Sequence, residues 1–380
     1  MSDIQAETDL FFVRERMVEQ EPPPARNVGV LGWLRANLFA TVPDAILTIL
    51  GLVFVAWILP PIINWAFVHA QWTGGDRTAC ASNTAGACWA YVRDNLGQFI
   101  YGRYPPAQRW RVDLFFLLIA AGVVPMVIPS VPYKRLNTLY LMIGIPVISF
   151  FLLTGAFPGL THVDTQLWGG LMLTIVVSII GMVFSLPFGI LLALGRRSQM
   201  PAVRIVSVAF IEIWRGVPLI TVLFMASVML PLFLPPGIDF DKFLRALIGV
   251  ALFSAAYMAE IVRGGLQAVP RGQYEGAMAL GLGYRHMMRL VVLPQALKIV
   301  IPGIVNNFIG LFKDTSLVYI IRLFELLGTV RQSFANPEWA TSQTPATGLV
   351  FAALIFWIFC FGMSRYSIAI ERRLHTGHKR

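Results

Sequence analysis

About eight apolar stretches that read as bilayer crossings recur along this chain of 380 residues, and no other feature limits its fold so strictly. A backbone with no water to bond must satisfy its own amides, and a helix does this within one segment. The expected fold class is therefore all-α and membrane-embedded. A composition of 57% hydrophobic and only 13% charged residues excludes a soluble globular protein.

The first stretch runs from about Ala45 to Phe67 and carries Pro60 and Pro61, which membrane helices tolerate when neighbours satisfy the freed carbonyls. The second covers about Leu114 to Ile128 and the third about Leu139 to Phe157, joined by the basic link Tyr133-Lys134-Arg135. The fourth, about Leu167 to Leu194, stops at Arg196-Arg197. The fifth, about Val203 to Leu234, is longer than one crossing needs, so a tilt or a break near Gly216 to Pro218 is expected. The sixth spans about Phe243 to Val262, the seventh about Ile299 to Leu317 and the eighth about Thr347 to Tyr366.

An even number of crossings puts both termini on one side, and the excess of Lys and Arg in the short links marks that side as cytoplasmic. Lys134-Arg135, Arg196-Arg197-Arg204, the region Arg271 to Lys298 and Arg372-Arg373-Lys379-Arg380 all fall there. The net charge of +10 thus records membrane topology and does not call for nucleic acid. Against this assignment runs the polar loop from about His69 to Arg111, which falls on the outer side yet carries Arg77, Arg93, Arg103, Arg109 and Arg111. Its Trp72 and Trp89 suit an interfacial belt. Cys80 and Cys88 bracket a short turn there; they are a disulfide candidate if the loop faces an oxidising compartment, and two unpaired thiols otherwise. Cys360, inside an apolar run, reads as a packing residue.

The layout that follows has four parts. Residues 1–36, acidic and interrupted by Pro22-Pro23-Pro24, read as a cytoplasmic tail without a core or a signal-peptide pattern. Residues 37–160 form an extension of three spans with a periplasmic loop at 69–112, residues 161–372 a core of five spans, and residues 373–380 a second cytoplasmic tail.

Within the core, Tyr274 to Lys298 is the least membrane-like stretch. Glu275 and small residues suit a short helix, Gly281 and Gly283 permit a sharp bend, and Arg285, His286 and Arg289 fall among Met287, Met288, Leu290 and Val291 at helical spacing. Pro294 is expected to end or kink the second helix. Two short helices joined at a glycine, with a basic and apolar surface, read as a docking element for a soluble partner. The alternative is an amphipathic connector held by lipid headgroups. No GxxxxGK[ST] occurs, so ATP-driven work must come from another chain, and no HExxH or clustered His/Cys set marks a metal site. No enzymatic constellation is in view.

The spacing from Glu275 and Ala277 through Gly281 to Leu293-Pro294 resembles the EAA loop of ABC importer permeases, with Gly276 where the first Ala is usual and Val291 where Ile is. WRGVPLITVLF (Trp214 to Phe224), AAYMAEIVRGGLQAVPRGQYE (Ala255 to Glu275), LPQALK (Leu293 to Lys298) and NNFIGLFKDTSLV (Asn306 to Val318) look like the polar-amino-acid permease subfamily. This resemblance covers about residues 165 to 372. With three extra spans and an outer loop before it, the chain is similar to the M-type permeases of the general L-amino-acid transporters (Aap/Bzt type) of Gram-negative bacteria. The resemblance implies a type I importer in the bacterial inner membrane. This chain would pair with a homologous permease, as a heterodimer, and work with a pair of ABC ATPase subunits and a periplasmic amino-acid-binding protein to pass L-amino acids. ATP and magnesium would sit on the ATPase, leaving this chain without a cofactor. The ATPase-coupling residues it implies are Glu275, Gly276, Ala277, Gly281, Gly283, Arg285, Arg289, Leu293 and Pro294. Which amino acids pass is not legible.

Polar residues at the ends and inside of the spans are the candidates for a translocation path or gate: Arg215, Gly216, Pro218, Glu260, Arg263, Asn306, Asn307, Lys313 and Asp314. A charge in a membrane segment costs on the order of a few kcal/mol, so such groups should face the bundle interior or a wet path. Glu260 with Arg263, Glu212 with Arg215, and Lys313 with Asp314 are spaced to pair locally, and Asn306 and Asn307 suit interhelical hydrogen bonds. Of Pro187, Pro218, Pro231 and Pro302, which otherwise read as kinks, Pro218 is best placed to line a cavity. A gradient-driven secondary transporter is the rival function and a membrane scaffold a third. A secondary transporter has no need to present a docking element between its sixth and seventh spans to a soluble partner.

Overall fold

A computed structural model of the chain describes residues 29–81, 85–128, 130–233, 235 and 240–374. Of the tails expected at 1–36 and 373–380, residues 1–28 and 375–380 lie outside the described residues, as do residues 82–84 between the two cysteines, while the described parts of both tails are helical. Among the described residues the regular structure is helical, with two isolated β-bridges and no strand. Seven helices are long and apolar enough to cross a membrane, and one bent pair makes up to eight. The all-α membrane class read from the sequence is the observed one.

The chain divides between His69 and Ala70 into two compact units. The first holds α1 (Gly29–Leu38) and α2 (Val42–Ile63), which runs on as a π-turn through Val68. A reciprocal capping box starts α2: Thr41 Oγ1 accepts from the Asp44 amide, and the Asp44 carboxylate accepts from the Thr41 amide. None of its residues from Val42 to Ile63 is buried, and a helix this apolar on every side has a surface made for lipid or another chain.

In the second unit, α3 (Trp89–Tyr101) precedes α4 (Arg109–Val127). The next crossing is built from α5 (Lys134–Leu139), a π-turn and α6 (Ile145–Thr154). Then come α7 (Gly170–Arg196), α8 (Pro201–Gly216), α9 (Leu219–Phe224), α10 (Leu230–Phe233) and α11 (Lys242–Ala268). The short helices α12 (Arg271–Ala279), α13 (Tyr284–Met287) and α14 (Leu293–Ile299) follow. The last three are α15 (Ile301–Asp314), α16 (Leu326–Ser333) and α17 (Thr344–Leu374).

Two ends of this bundle can be told apart by contacts. At one, Thr165 donates to Asp241 and Gly170 bonds Phe324 O; at the other, Arg196 meets Glu260. Helix α11, with 67% of its apolar window buried, is the centre, and it packs along α7 because small residues let the backbones approach. A Cβ on Gly189 would come within 2.7 Å of Met258, and one on Gly265 within 2.6 Å of Ala296 O on α14.

The fifth span is broken as the sequence predicts: α8 and the segment Leu219–Phe233 meet at 101°. Pro218 pushes Val217 out of the helical region, to φ −113 and ψ 134, and has no amide of its own to continue the ladder.

The polar loop from His69 to Arg111 is more ordered than expected. Tyr91 and Phe99 of α3 are fully buried, with Tyr91 tilted against Trp339 at 6.2 Å and bonded to Ser333 through its hydroxyl. Three of the five arginines that ran against the topology argument have structural partners. Arg111, 1% exposed, donates to Thr161 O at 2.9 Å and Thr161 Oγ1 at 3.1 Å; Arg103 reaches Gln166 O at 3.2 Å; Arg109 lies over the Tyr101 ring at 5.1 Å. Cys80 and Cys88 are joined as a disulfide, with Cα atoms 5.8 Å apart, and Cys360 is free and half-buried.

Candidate functional site

Helix α11 stops because Val269 precedes Pro270 and is held extended, at φ −70 and ψ 125, and the chain restarts at once as α12. The turn after α12 is set by one glycine. Gly281 has φ +73; its amide reaches Met278 O at 2.9 Å and the Leu282 amide reaches Ala277 O at 3.1 Å, the paired bonds of a Schellman cap. Gly283, also expected to allow the bend, has φ −65 and requires no glycine there. Pro294 does not end the second helix: the turn before it opens to a π-form, Met288–Val292, and α14 carries on to Ile299 with Pro294 in its first turn, where an amide is not needed.

This segment has two faces. Ala277, Met287, Met288 and Val292 are buried in a cluster with Leu266, Val269 and Ala296. On the other face Met278, Leu280, Tyr284 and Leu290 are exposed, Leu280 at 82%, among the exposed Glu275, Arg285 and Arg289. Gly276 and Pro294 are exposed and Leu293 is half-buried. The segment is fastened to the spans behind it. Tyr274 donates to Leu266 O at 2.9 Å, and Arg197 donates to both the Tyr274 hydroxyl and Leu266 O at 3.1 Å. Gln295 donates to Gln273 at 2.9 Å, tying α14 to α12. A push on α12 therefore acts directly on the ends of α7, α11 and α14.

Just inside the bundle, Glu260 on α11 gathers three arginines. Arg263 lies at 2.7 Å, Arg196 of α7 at 2.8 Å and Arg215 of α8 at 3.7 Å. The sequence pairs Glu260 with Arg263 and misses the rest, because the other partners come from other helices. The expected pair of Glu212 with Arg215 is not formed; Glu212 goes to Arg196 at 2.9 Å, since Arg215 turns toward Glu260 and the Tyr257 ring, 5.5 Å away. Glu260 is only 15% exposed, so it would be a costly buried charge without these cations.

Deeper still, Ser254 and Tyr257 of α11 face Asn306, Asn307 and Asp314 of α15 across a recess of about 310 Å³. Asn307 donates to Ser254 Oγ at 3.2 Å, the interhelical bond expected of it. Tyr257, shared by the recess and by Arg215, makes the two sites contiguous. Among the described residues no ion pair joins Lys313, which is exposed, to Asp314. Gly216 and Pro218 are exposed at the break in the fifth span, outside the recess.

Two groups escaped sequence reading. Arg197 looked like a topology marker and is the clasp on α12. Glu325, fully buried, caps α16 by accepting from the amides of Leu327 at 2.9 Å and Gly328 at 2.7 Å. Burial pushes its carboxyl up to about 7, against those amide bonds, the nearby Thr174 hydroxyl and Arg331. Its only signal in the sequence was a lone acidic residue before Leu326-Leu327-Gly328. Among the described residues no cluster of His, Cys, Asp and Glu could hold a metal.

Residues 185–376 match the family described as the binding-protein-dependent transport system inner membrane component. The chain is 51% identical over 364 residues to the inner membrane amino-acid ABC transporter permease protein YhdY of Escherichia coli (strain K12), covering 95% of this chain and 98% of that one. It is 39% identical over 435 residues to the glutamate/glutamine/aspartate/asparagine transport system permease protein BztC of Rhodobacter capsulatus, covering 98% and 100%. Among solved structures, an amino acid ABC transporter crystallised with histidines aligns with 54% of this chain and 92% of its own, at 28% identity and a TM-score of 0.47.

Proposed function

We propose, for a chain that belongs to the family of binding-protein-dependent transport system inner membrane components, that its α12 to α14 segment is the lever through which a separate ATPase moves the spans. The protein is a transmembrane permease subunit of an ABC importer for amino acids, not an enzyme; its relatives over nearly the whole length are amino-acid ABC permeases. The family works with an ATPase and a binding protein, and nothing supports the gradient-driven alternative.

The observation that carries the lever is the two-faced segment, with apolar Leu280 and Met278 uncovered and its inner face locked to the ends of α7 and α11. We assign the Arg196 end of the bundle to the cytoplasm, since Lys134, Arg135, Arg197 and the basic residues of the lever gather there; both termini would then be cytoplasmic. The recess at Asn306, Asn307 and Asp314 is the candidate passage, and the Glu260 cluster a gate between it and the lever. ATPase closure would shift the population between two packings of the spans, with the substrate never touching the lever. The partner permease is taken to be a different, homologous chain, and the substrates to be polar L-amino acids of the range named for BztC.

Uptake of labelled amino acid by cells carrying Glu275→Lys or Gly281→Asp tests the lever. Membrane insertion should be normal and uptake abolished. Normal uptake in either variant would remove the segment from the coupling path.

A further inference from the structure

At the Gly170 end, away from the lever, a cavity of about 450 Å³ opens between α6, α7 and α11. Its walls are mostly apolar, with Phe150, Leu153, Val176 and Leu247 among them; His162, Asp164, Thr165 and Asp241 come from connections outside the spans, and the hydroxyls of Ser149 and Thr154 on α6 donate to carbonyls of their own helix, Ile145 O and Phe150 O. Two observations say what chemistry would fill it. Trp168 lines the cavity, is 5% exposed, and its indole N–H has no hydrogen-bond partner among the described residues. An indole donor so buried needs an acceptor, and none of the residues lining the cavity supplies one. The second is charge. Asp164 accepts from the Gln166 amide at 2.9 Å, and Asp241 from the amides of Phe243 at 2.7 Å and Leu244 at 3.1 Å and from the Thr165 hydroxyl at 2.6 Å. Neither carboxylate has an ion-pair partner among the described residues.

We propose that this cavity holds one aminophospholipid: an acyl chain along the apolar walls, an ester carbonyl accepting from Trp168 Nε1, and the ammonium head facing Asp164 and Asp241. The position fits, since the cavity lies where span ends meet connecting loops, the level of the headgroup boundary. A free amino acid fits poorly. Its ammonium could meet the same aspartates, but it has no acyl chain for the apolar wall, most of which would gain nothing from a polar ligand. An anionic phospholipid would set its negative head against the two carboxylates. The lipid would act as a wedge between α6, which belongs to the additional spans, and the core helices α7 and α11.

The test uses the full chain, purified in mild detergent with its co-purifying subunits from a membrane containing phosphatidylethanolamine and phosphatidylglycerol of matched acyl chains. Lipids retained on the protein are quantified by mass spectrometry. Wild type should retain about one phosphatidylethanolamine, enriched about tenfold or more over phosphatidylglycerol, tenfold corresponding to about 1.4 kcal/mol. Asp164→Asn with Asp241→Asn keeps an oxygen for each cap and should lose that selectivity while keeping a lipid. Trp168→Phe keeps the ring and should lower retention of both. Retention of the two lipids in their bulk ratio by wild type, unchanged selectivity in the Asp double variant, or displacement of the lipid by added amino acid would each overturn the assignment.

Discussion

Glu325 shows how much a single residue can hide. Its carboxyl is buried at the start of α16, against α7, and burial holds its proton on up to about pH 7, above the ordinary carboxylate value of 4.5. The native state therefore keeps a proton between about pH 4.5 and 7 that the unfolded chain has already released. Stability must fall as pH rises through that window, by on the order of 3 kcal/mol at about 1.4 kcal/mol per pH unit, and stay flat above it. The thermal midpoint of detergent-purified protein should drop between pH 5 and 7.5, and Glu325→Gln should flatten that slope; an unchanged slope would place the titration elsewhere. Gly281 is the contrasting case. Its role as the bend was readable because only glycine takes φ +73 without strain, whereas Gly283, equally visible in the sequence, has no such duty.

Among the elements, α11 against α7 is a contact with no room for an added side chain at Gly189. Gly189→Val would force atoms into Met258, whose Cβ and Cγ already lie 2.7 Å from the position of a Cβ, and against the Ala259 amide at 3.1 Å. Overpacking of this kind costs about 1–3 kcal/mol, so the thermal midpoint should fall by several degrees. Gly264→Ala on α11 meets nothing within 4 Å and should be neutral or slightly stabilising. Equal effects from the two would mean that the crossing is not packed through Gly189. At this scale the sequence was most legible. Apolar length located every span, with some ends off by five to eight residues, and Pro218 located the 101° break, because proline acts on its own neighbours. What stayed hidden depends on other helices: the Arg215 to Glu260 contact in place of Arg215 to Glu212, the burial of Tyr91 beside Trp339, and the continuation of the helix past Pro294 after a π-turn. Spacing within one element says nothing about such partners.

For the molecule as a whole, the charged and polar features fall at distinct levels of the second unit. The lever and the Glu260 cluster lie at the Arg196 end, and the aspartates of the lipid-sized cavity and the disulfide lie at the Gly170 end. This division suits the proposed coupling, in which the ATPase and the binding protein would reach opposite ends of the same helices. The most direct test is contact itself. A photoreactive amino acid placed at Leu280, 82% exposed on the lever, should cross-link to the ATPase subunit in an active transporter, and the same group at Leu232, 78% exposed toward the other end, should not. An ATPase adduct at Leu232, or none at Leu280 while uptake persists, would contradict the account.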